Sequence, residues 1–478
     1  MTLQLPRRIK LAYGVGQAAV GIKNTLFHLF VFFYFSQVLG LSASLAGTAA
    51  LVALIVDAVT DPMVGHLSDN WRSRHGRRHP FILGSAIPFG LSLFALLNPP
   101  AGLDQTGLFI WLAGGSVLVR VLLTFFVVPH MSLGAELSTD YQERTAIVSY
   151  RVFFMYAGGQ FASLVGLNLF FPASETYANG MLNPDAYGAF AEFCAVAATG
   201  VILASYFGTR RLVPRLPQAG DAQVSANPFQ GLVELAGTLR LRSFRVLFIG
   251  SLITMIASGM TQTLTLYVGT YFFELTPAQL SVTALSMVAA LLPGSFLAPW
   301  LSRVFDKRAS LIGSVFLLAC LEMTPILLRF LGWFPANGSP FLLPALFGCL
   351  VISNGFLVVY TVVIDSMTAD VVDEYELKAA KRQEGVFFSA RSFAQKATFG
   401  VGALAAGIGL DAIAFPRQAG TEAVPAESVL YLGLLAGPCI FLLYLASVAV
   451  FSGYAIDRSR HAQILAALRA RRDLGAVS

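Results

Sequence analysis

Leu51-Val-Ala-Leu-Ile-Val-Asp57-Ala-Val-Thr-Asp61-Pro62-Met-Val-Gly65-His-Leu-Ser-Asp69 decides how this chain is read. It belongs to an apolar run over 45–68, long enough to cross a bilayer as a helix, which takes roughly 20 residues. Inside that run stand two carboxylates, four residues apart, so both lie on one helix face. A charge at the bilayer centre costs about 2.5–3.5 kcal/mol on insertion scales, and two neighbouring carboxylates repel each other. They can share the site only with a proton, a metal cation or a basic side chain. One reading is a structural pair that locks helices together. The other is a coupling-ion site, which the expense of idle charge in a membrane favours.

The rest of the chain has the same character. Of 478 residues, 56% are apolar and 12% charged, against about 25% charged in a soluble domain. So little charge could not cover a soluble surface, and the bilayer is the solvent that fits. The net charge of +6 comes from Lys and Arg in short clusters between apolar runs. That pattern suits loops beside an anionic membrane and argues against a nucleic-acid partner. Cys194, Cys320, Cys349 and Cys439 lie in or beside apolar runs with no C-x-x-C pair, which predicts packing residues rather than a disulfide or metal site. No nucleophile–base arrangement, metal-ligand cluster or phosphate-cradling loop points to an enzyme. The opening residues 1–10 are too short and polar for a cleavable leader.

The apolar pattern predicts an all-α integral membrane protein with twelve spans: 11–38, 45–68, 80–98, 107–136, 147–172, 186–209, 243–273, 277–301, 309–331, 341–368, 385–413 and 427–455. A linker over 210–242, carrying Pro214, Pro217 and Pro228, separates a six-helix bundle in 1–209 from another in 243–456, with a cytoplasmic tail over 457–478. The arginine- and lysine-rich loops alternate with poor ones. Arg72, Arg74, Arg77 and Arg78 lie on the same side as Arg303, Lys307 and Arg308, so both termini are expected in the cytoplasm and the chain in the plasma (inner) membrane. The halves echo each other. Glu136, Asp140, Arg144 and Arg151 are mirrored by Asp370, Asp373, Arg382 and Arg391. Repeated halves around a cleft are the usual construction for alternating access.

Three motifs carry a more specific likeness. Asp57-Ala-Val-Thr-Asp61-Pro62-Met-Val-Gly65 with Asp69 and Arg72-Ser-Arg74-His-Gly76-Arg77, the opening Lys10-Leu-Ala-Tyr13-Gly14-Val-Gly16, and Met367-Thr-Ala-Asp370-Val-Val-Asp373-Glu-Tyr375 followed by Lys396 span the whole chain. Together they resemble the glycoside–pentoside–hexuronide:cation symporter family of the major facilitator superfamily. The resemblance implies the major facilitator fold and symport coupled to Na+ or H+, with no other cofactor. It implies a small glycoside-like or uronide substrate and a monomer. It also implies a cation site of Asp57, Thr60, Asp61 and Thr124, with Lys396 neutralising the carboxylates when the ion is absent.

The substrate side departs from that family. Its sugar site has an acidic residue in span one, an aspartate in span four and a tryptophan after the span-four proline. The matching positions here are Gly21, Val127 and Met131. Lys23, Asn24, His28, His130 and Arg151 stand nearby instead, a basic set that favours a substrate carrying an anionic group. The resemblance implies the first alternative substrate, an anionic amphiphile such as a lysophospholipid, since a branch of the wider family carries these and likewise lacks the sugar carboxylates; a non-transporting receptor or sensor is the second alternative function. Asp69, Arg74, Arg77, Arg78, Asp306, Asp370, Asp373 and Arg382 read as a cytoplasmic gate bonded across the seam between the halves. Arg120 and Glu322 also lie in or near apolar spans, and the sequence assigns neither a role.

Overall fold

A computed structural model describes residues 5–138, 140–177, 179–215, 237–379, 384–418 and 424–475. Every regular element among them is helical. The first six long helices are α1 (Arg7–Val38), α2 (Ala43–Asn70), α3 (His79–Leu96), α4 (Gln105–Glu136), α5 (Glu143–Phe170) and α6 (Pro184–Pro214). The next are α7 (Arg242–Phe272), α8 (Pro277–Val304), α9 (Lys307–Phe330) and α10 (Leu342–Ala379), with α12 (Ala426–Phe451). These eleven are long and apolar enough to cross a membrane. Between α10 and α12 runs α11 (Glu384–Ala412), which is long enough but is not counted with the eleven. It carries Arg391, Gln395 and Lys396.

The repeat is visible in how α1 and α7 end. Each finishes in a widened π turn, Tyr34–Val38 and Val268–Phe272. The Leu39 amide then donates to Tyr34 O and the Leu41 amide to Phe35 O; Phe273 and Leu275 do the same to Val268 and Gly269. The residue between them takes a positive φ in both, 78° at Gly40 and 51° at Glu274. Glu274 adopts there a conformation that glycine occupies freely, so the second half keeps the geometry without the residue that best suits it.

Bonds between the two halves gather at the end of the molecule far from the termini. There the hydroxyls of Ser36 and Tyr267 meet, and Tyr271 donates to Gln37 Oε1 at 3.0 Å. Asp411 at the end of α11 accepts from the Ser42 hydroxyl and, at 2.9 Å, from the Ser44 amide. A carboxylate from one half thus caps the N-terminus of a helix in the other, where backbone donors and the helix dipole favour an anion. Small residues let the backbones close in: a Cβ on Gly407 would sit 2.1 Å from Ala43 O, and one on Gly47 2.5 Å from Leu404 Cα. Asp411→Asn keeps the shape and removes the charge. Hydrogen bonds to charged groups are worth about 1.5–3 kcal/mol. The variant is therefore expected to open the far end roughly tenfold more often, read as faster thiol labelling of Thr48→Cys.

The end carrying the termini is built differently, and the bonds seen among the expected gate residues run within each half. Arg78 pairs with Asp69 and with Glu136 at 3.1 Å, and Arg77 bonds Glu136 at 2.7 Å. Those contacts tie α2, the following loop and α4, all within the first half. Arg74 is exposed. In the second half Asp306 caps α9 through the Lys307 amide at 2.7 Å, and Lys307 Nζ bonds Asp370 at 2.7 Å. Among the described residues these bonds fix helix ends inside their own bundles. Arg382 lies outside the described residues. Residues expected as a tail form α13 (Arg458–Gly475), which buries Ile464 and Leu468. His461 Nε2 on it lies 3.2 Å from Asp373, and Arg458 donates to Arg303 O at 2.8 Å. A cavity of about 480 Å³ lies under this helix, lined by Ser302, Arg303, Lys307, Ser366 and Arg458, away from the carboxylate pair.

Candidate cation and substrate site

α2 packs against α4 of its own half and α11 of the other, so its acidic face meets side chains from both. Pro62 follows Asp61 inside the helix and removes one backbone donor there. Thr124 on α4 donates to Asp61 Oδ1 at 2.9 Å and lies 3.4 Å from Asp57 Oδ1. Lys396 on α11 pairs with Asp61 and lies 3.4 Å from Asp57 Oδ2. Asp57, Asp61, Thr124 and Lys396 therefore converge. Thr60 does not join them: its hydroxyl lies 3.4 Å from the backbone oxygen of Asp57, a back-bond common for hydroxyl side chains in helices.

The cluster contains a member whose role no sequence pattern assigned. Arg120 Nη1 lies 3.3 Å from Asp57 Oδ2, and the arginine side chain is 5% exposed. A signal was available, since Arg120 and Thr124 are four residues apart on one face of α4. Lys23 on α1, buried, feels the charges of Asp57, Asp61, Arg120 and Lys396. Its Nζ lies 3.4 Å from Asn24 Oδ1 and 5.2 Å from the Phe27 ring centroid; the Arg120 guanidinium lies 5.9 Å from that ring. His28 is half-buried on the same helix. Three formal positive charges thus surround two negative ones.

A family model described as MFS/sugar transport protein matches residues 12–458. The chain belongs to this family. It is a multi-pass membrane transporter and not an enzyme. The putative glycoside/cation symporter YagG of Escherichia coli is 36% identical over 42% of this chain and 42% of its own length. The uncharacterized symporter sll1374 of Synechocystis is 26% identical over 97% of this chain and 96% of its own. Among solved structures, the nucleoside transporter NupG superposes with a TM-score of 0.61 at 12% identity, covering 93% of this chain and 98% of that one; it shows the fold alone.

Within this family member the remaining expected residues divide. His130 is fully enclosed. Its ring stacks on Tyr13 at 4.3 Å, Nδ1 lies 3.0 Å from Gln17 Nε2 and Nε2 lies 3.0 Å from Tyr13 O. Both nitrogens are used in holding α1 to α4, so His130 packs the bundle and does not join the carboxylate cluster. Arg151 on α5 is half-buried and faces the Tyr13 hydroxyl. Gly21 has a physical reason to be glycine: a Cβ there would lie 1.9 Å from Met155 O of α5. The crossing of α1 and α5 fills the place where the resembled family keeps a carboxylate. Glu322 belongs to the second half, where Thr261 donates to it at 2.9 Å; it takes no part in the cluster.

Proposed function

We propose that this transporter couples uptake of an anionic glycoside-like solute, a uronide in the first place, to entry of a cation, as a monomer in the plasma (inner) membrane with both termini cytoplasmic. The observation that carries the reading is the junction at Asp61, whose carboxylate is held by Thr124 of its own half and by Lys396 of the other. Loading the carboxylate with an ion releases Lys396, so ion binding and the fit between the halves become one equilibrium. The halves then rock about the site in alternating access. Lys396 is about one-third exposed, open enough to exchange partners.

The excess of positive charge around Lys23, Arg120 and Lys396 favours a solute with a carboxylate. Similarity to a putative glycoside/cation symporter supports the glycoside part. The test is uptake into liposomes holding the purified protein, with a glucuronide, a neutral glycoside and a lysophospholipid offered separately. Accumulation of the glucuronide above its external concentration is expected, at least tenfold over the neutral glycoside. Uptake of the lysophospholipid alone would replace the substrate assignment. Binding of a solute without uptake of any would point to a receptor.

A further inference from the structure

We propose that Arg120 stands as a built-in cation in the place an alkali ion would take at Asp57, and so is the residue that excludes Na+ from the coupling site. The inference rests on the coupling reading of the Asp57–Asp61 pair and names its ion selectivity.

The donor set is the first ground. A hard cation collects oxygen ligands, and the pair offers four carboxylate oxygens and the Thr124 hydroxyl. Asp57 Oδ2 lies 3.3 Å from Arg120 Nη1 and 3.4 Å from Lys396 Nζ, and Asp61 Oδ2 is bonded by Lys396. Thr60, which would supply a further oxygen, is turned to its own helix backbone. One oxygen of each carboxylate thus already carries a cationic donor, and the other faces the Thr124 hydroxyl.

The second ground is which of those donors can leave. Lys396 stands on α11, across the seam, and separates from α2 when the halves rock. Arg120 stands on α4, which packs against α2 within one half. It moves with Asp57, keeps its charge under all working conditions, and is buried beside the Phe27 ring. When Lys396 withdraws, an arriving Na+ meets one carboxylate already matched by a guanidinium, with Lys23 on the Phe27 ring that the guanidinium also faces. Geometry therefore separates two roles the sequence left joined: a permanent partner for Asp57 and an exchangeable one for Asp61.

The experiment is thermal unfolding of the purified full-length protein in NaCl against choline chloride at equal ionic strength, followed by tryptophan fluorescence. An ion that binds only the folded state raises the melting temperature saturably. The wild type is expected to melt at the same temperature in both salts. Arg120→Gln is expected to gain a saturable, Na+-specific rise of several degrees, which the further change Asp57→Asn removes; Arg120→Lys is expected to stay insensitive. A saturable Na+ response of the wild type overturns the proposal, and this measurement stands even where Arg120→Gln does not fold. So does a folded Arg120→Gln without a Na+ response. Failure of the coupling reading itself is a separate result: uphill uptake that survives Asp61→Asn.

Discussion

Asp61→Asn is expected to abolish uphill accumulation, by at least about a hundredfold, while the protein remains folded and inserted. The substitution keeps the size of the side chain and the acceptor for Thr124, which donates to Asp61 at 2.9 Å. What it removes is the charge that holds Lys396. Asp61 is the more open of the two carboxylates, its side chain 30% exposed against 13% for Asp57, and Arg120 pairs with the other one. A neutral amide cannot exchange a lysine for an ion, so the seam equilibrium no longer depends on the ion gradient. Movement of solute down its own gradient continues, because the rocking of the halves needs no coupling. Measuring exchange and gradient-driven uptake in the same liposomes separates the two. Loss of both together would mean that Asp61 holds the structure rather than the coupling, and survival of uphill uptake would move the coupling site elsewhere.

The second large effect concerns Gly21. A Cβ at this position would sit 1.9 Å from Met155 O and 2.6 Å from Gly159 N, both backbone atoms that cannot turn aside. Gly158 on the facing helix is equally confined, 2.6 Å from Ala18 Cα. Membrane helices pack through small residues in this way because lipid supplies no hydrophobic drive between them. Overpacking a well-fitted contact costs about 1–3 kcal/mol, and a clash with backbone on both sides sits at or above the upper end. Gly21→Val is expected to lose most of its folded yield and to lower the melting temperature by several degrees, read by fluorescence-detected size-exclusion chromatography across a temperature series. Gly84→Ala, where a Cβ meets nothing within 4 Å, is the matched control and is expected to be neutral. Gly21→Asp should fail in the same way, so the sugar-type carboxylate cannot be restored by one substitution.

The spans were legible because apolar runs of this length have one use. Asp57, Asp61, Thr124 and Lys396 were legible because charged or oxygen-bearing side chains in such runs need each other. The places where reading failed share a cause. His130 and Lys23 are both polar residues in spans, and spacing does not say that one stacks inside the bundle on Tyr13 while the other lies against the Phe27 ring that Arg120 also faces. Arg120 was visible as a charge but not as a partner, since its partner lies on another helix. The acids and bases at the end carrying the termini were read as spanning the seam, whereas Arg78 with Glu136 and Lys307 with Asp370 close within a half. Which half a loop residue bonds to depends on packing angles that no local pattern encodes.

The placement of the cluster's charges also orders the birth of the molecule. α2 leaves the ribosome with Asp57 and Asp61, each costing the translocon about 2.5–3.5 kcal/mol at mid-bilayer, long before Lys396 is translated. Arg120 follows only two helices later, and its bond to Asp57 at 3.3 Å lets the first half shelter one acid during synthesis. The other acid waits for α11, whose own Arg391 and Lys396 make it a poor candidate to enter the bilayer alone. Arg391 finds Asp365 on α10 at 3.1 Å, and Lys396 finds Asp61. Nascent chains stopped before α11 should therefore hold α2 less firmly in the membrane than the finished protein does, making Lys396 a late clasp of assembly.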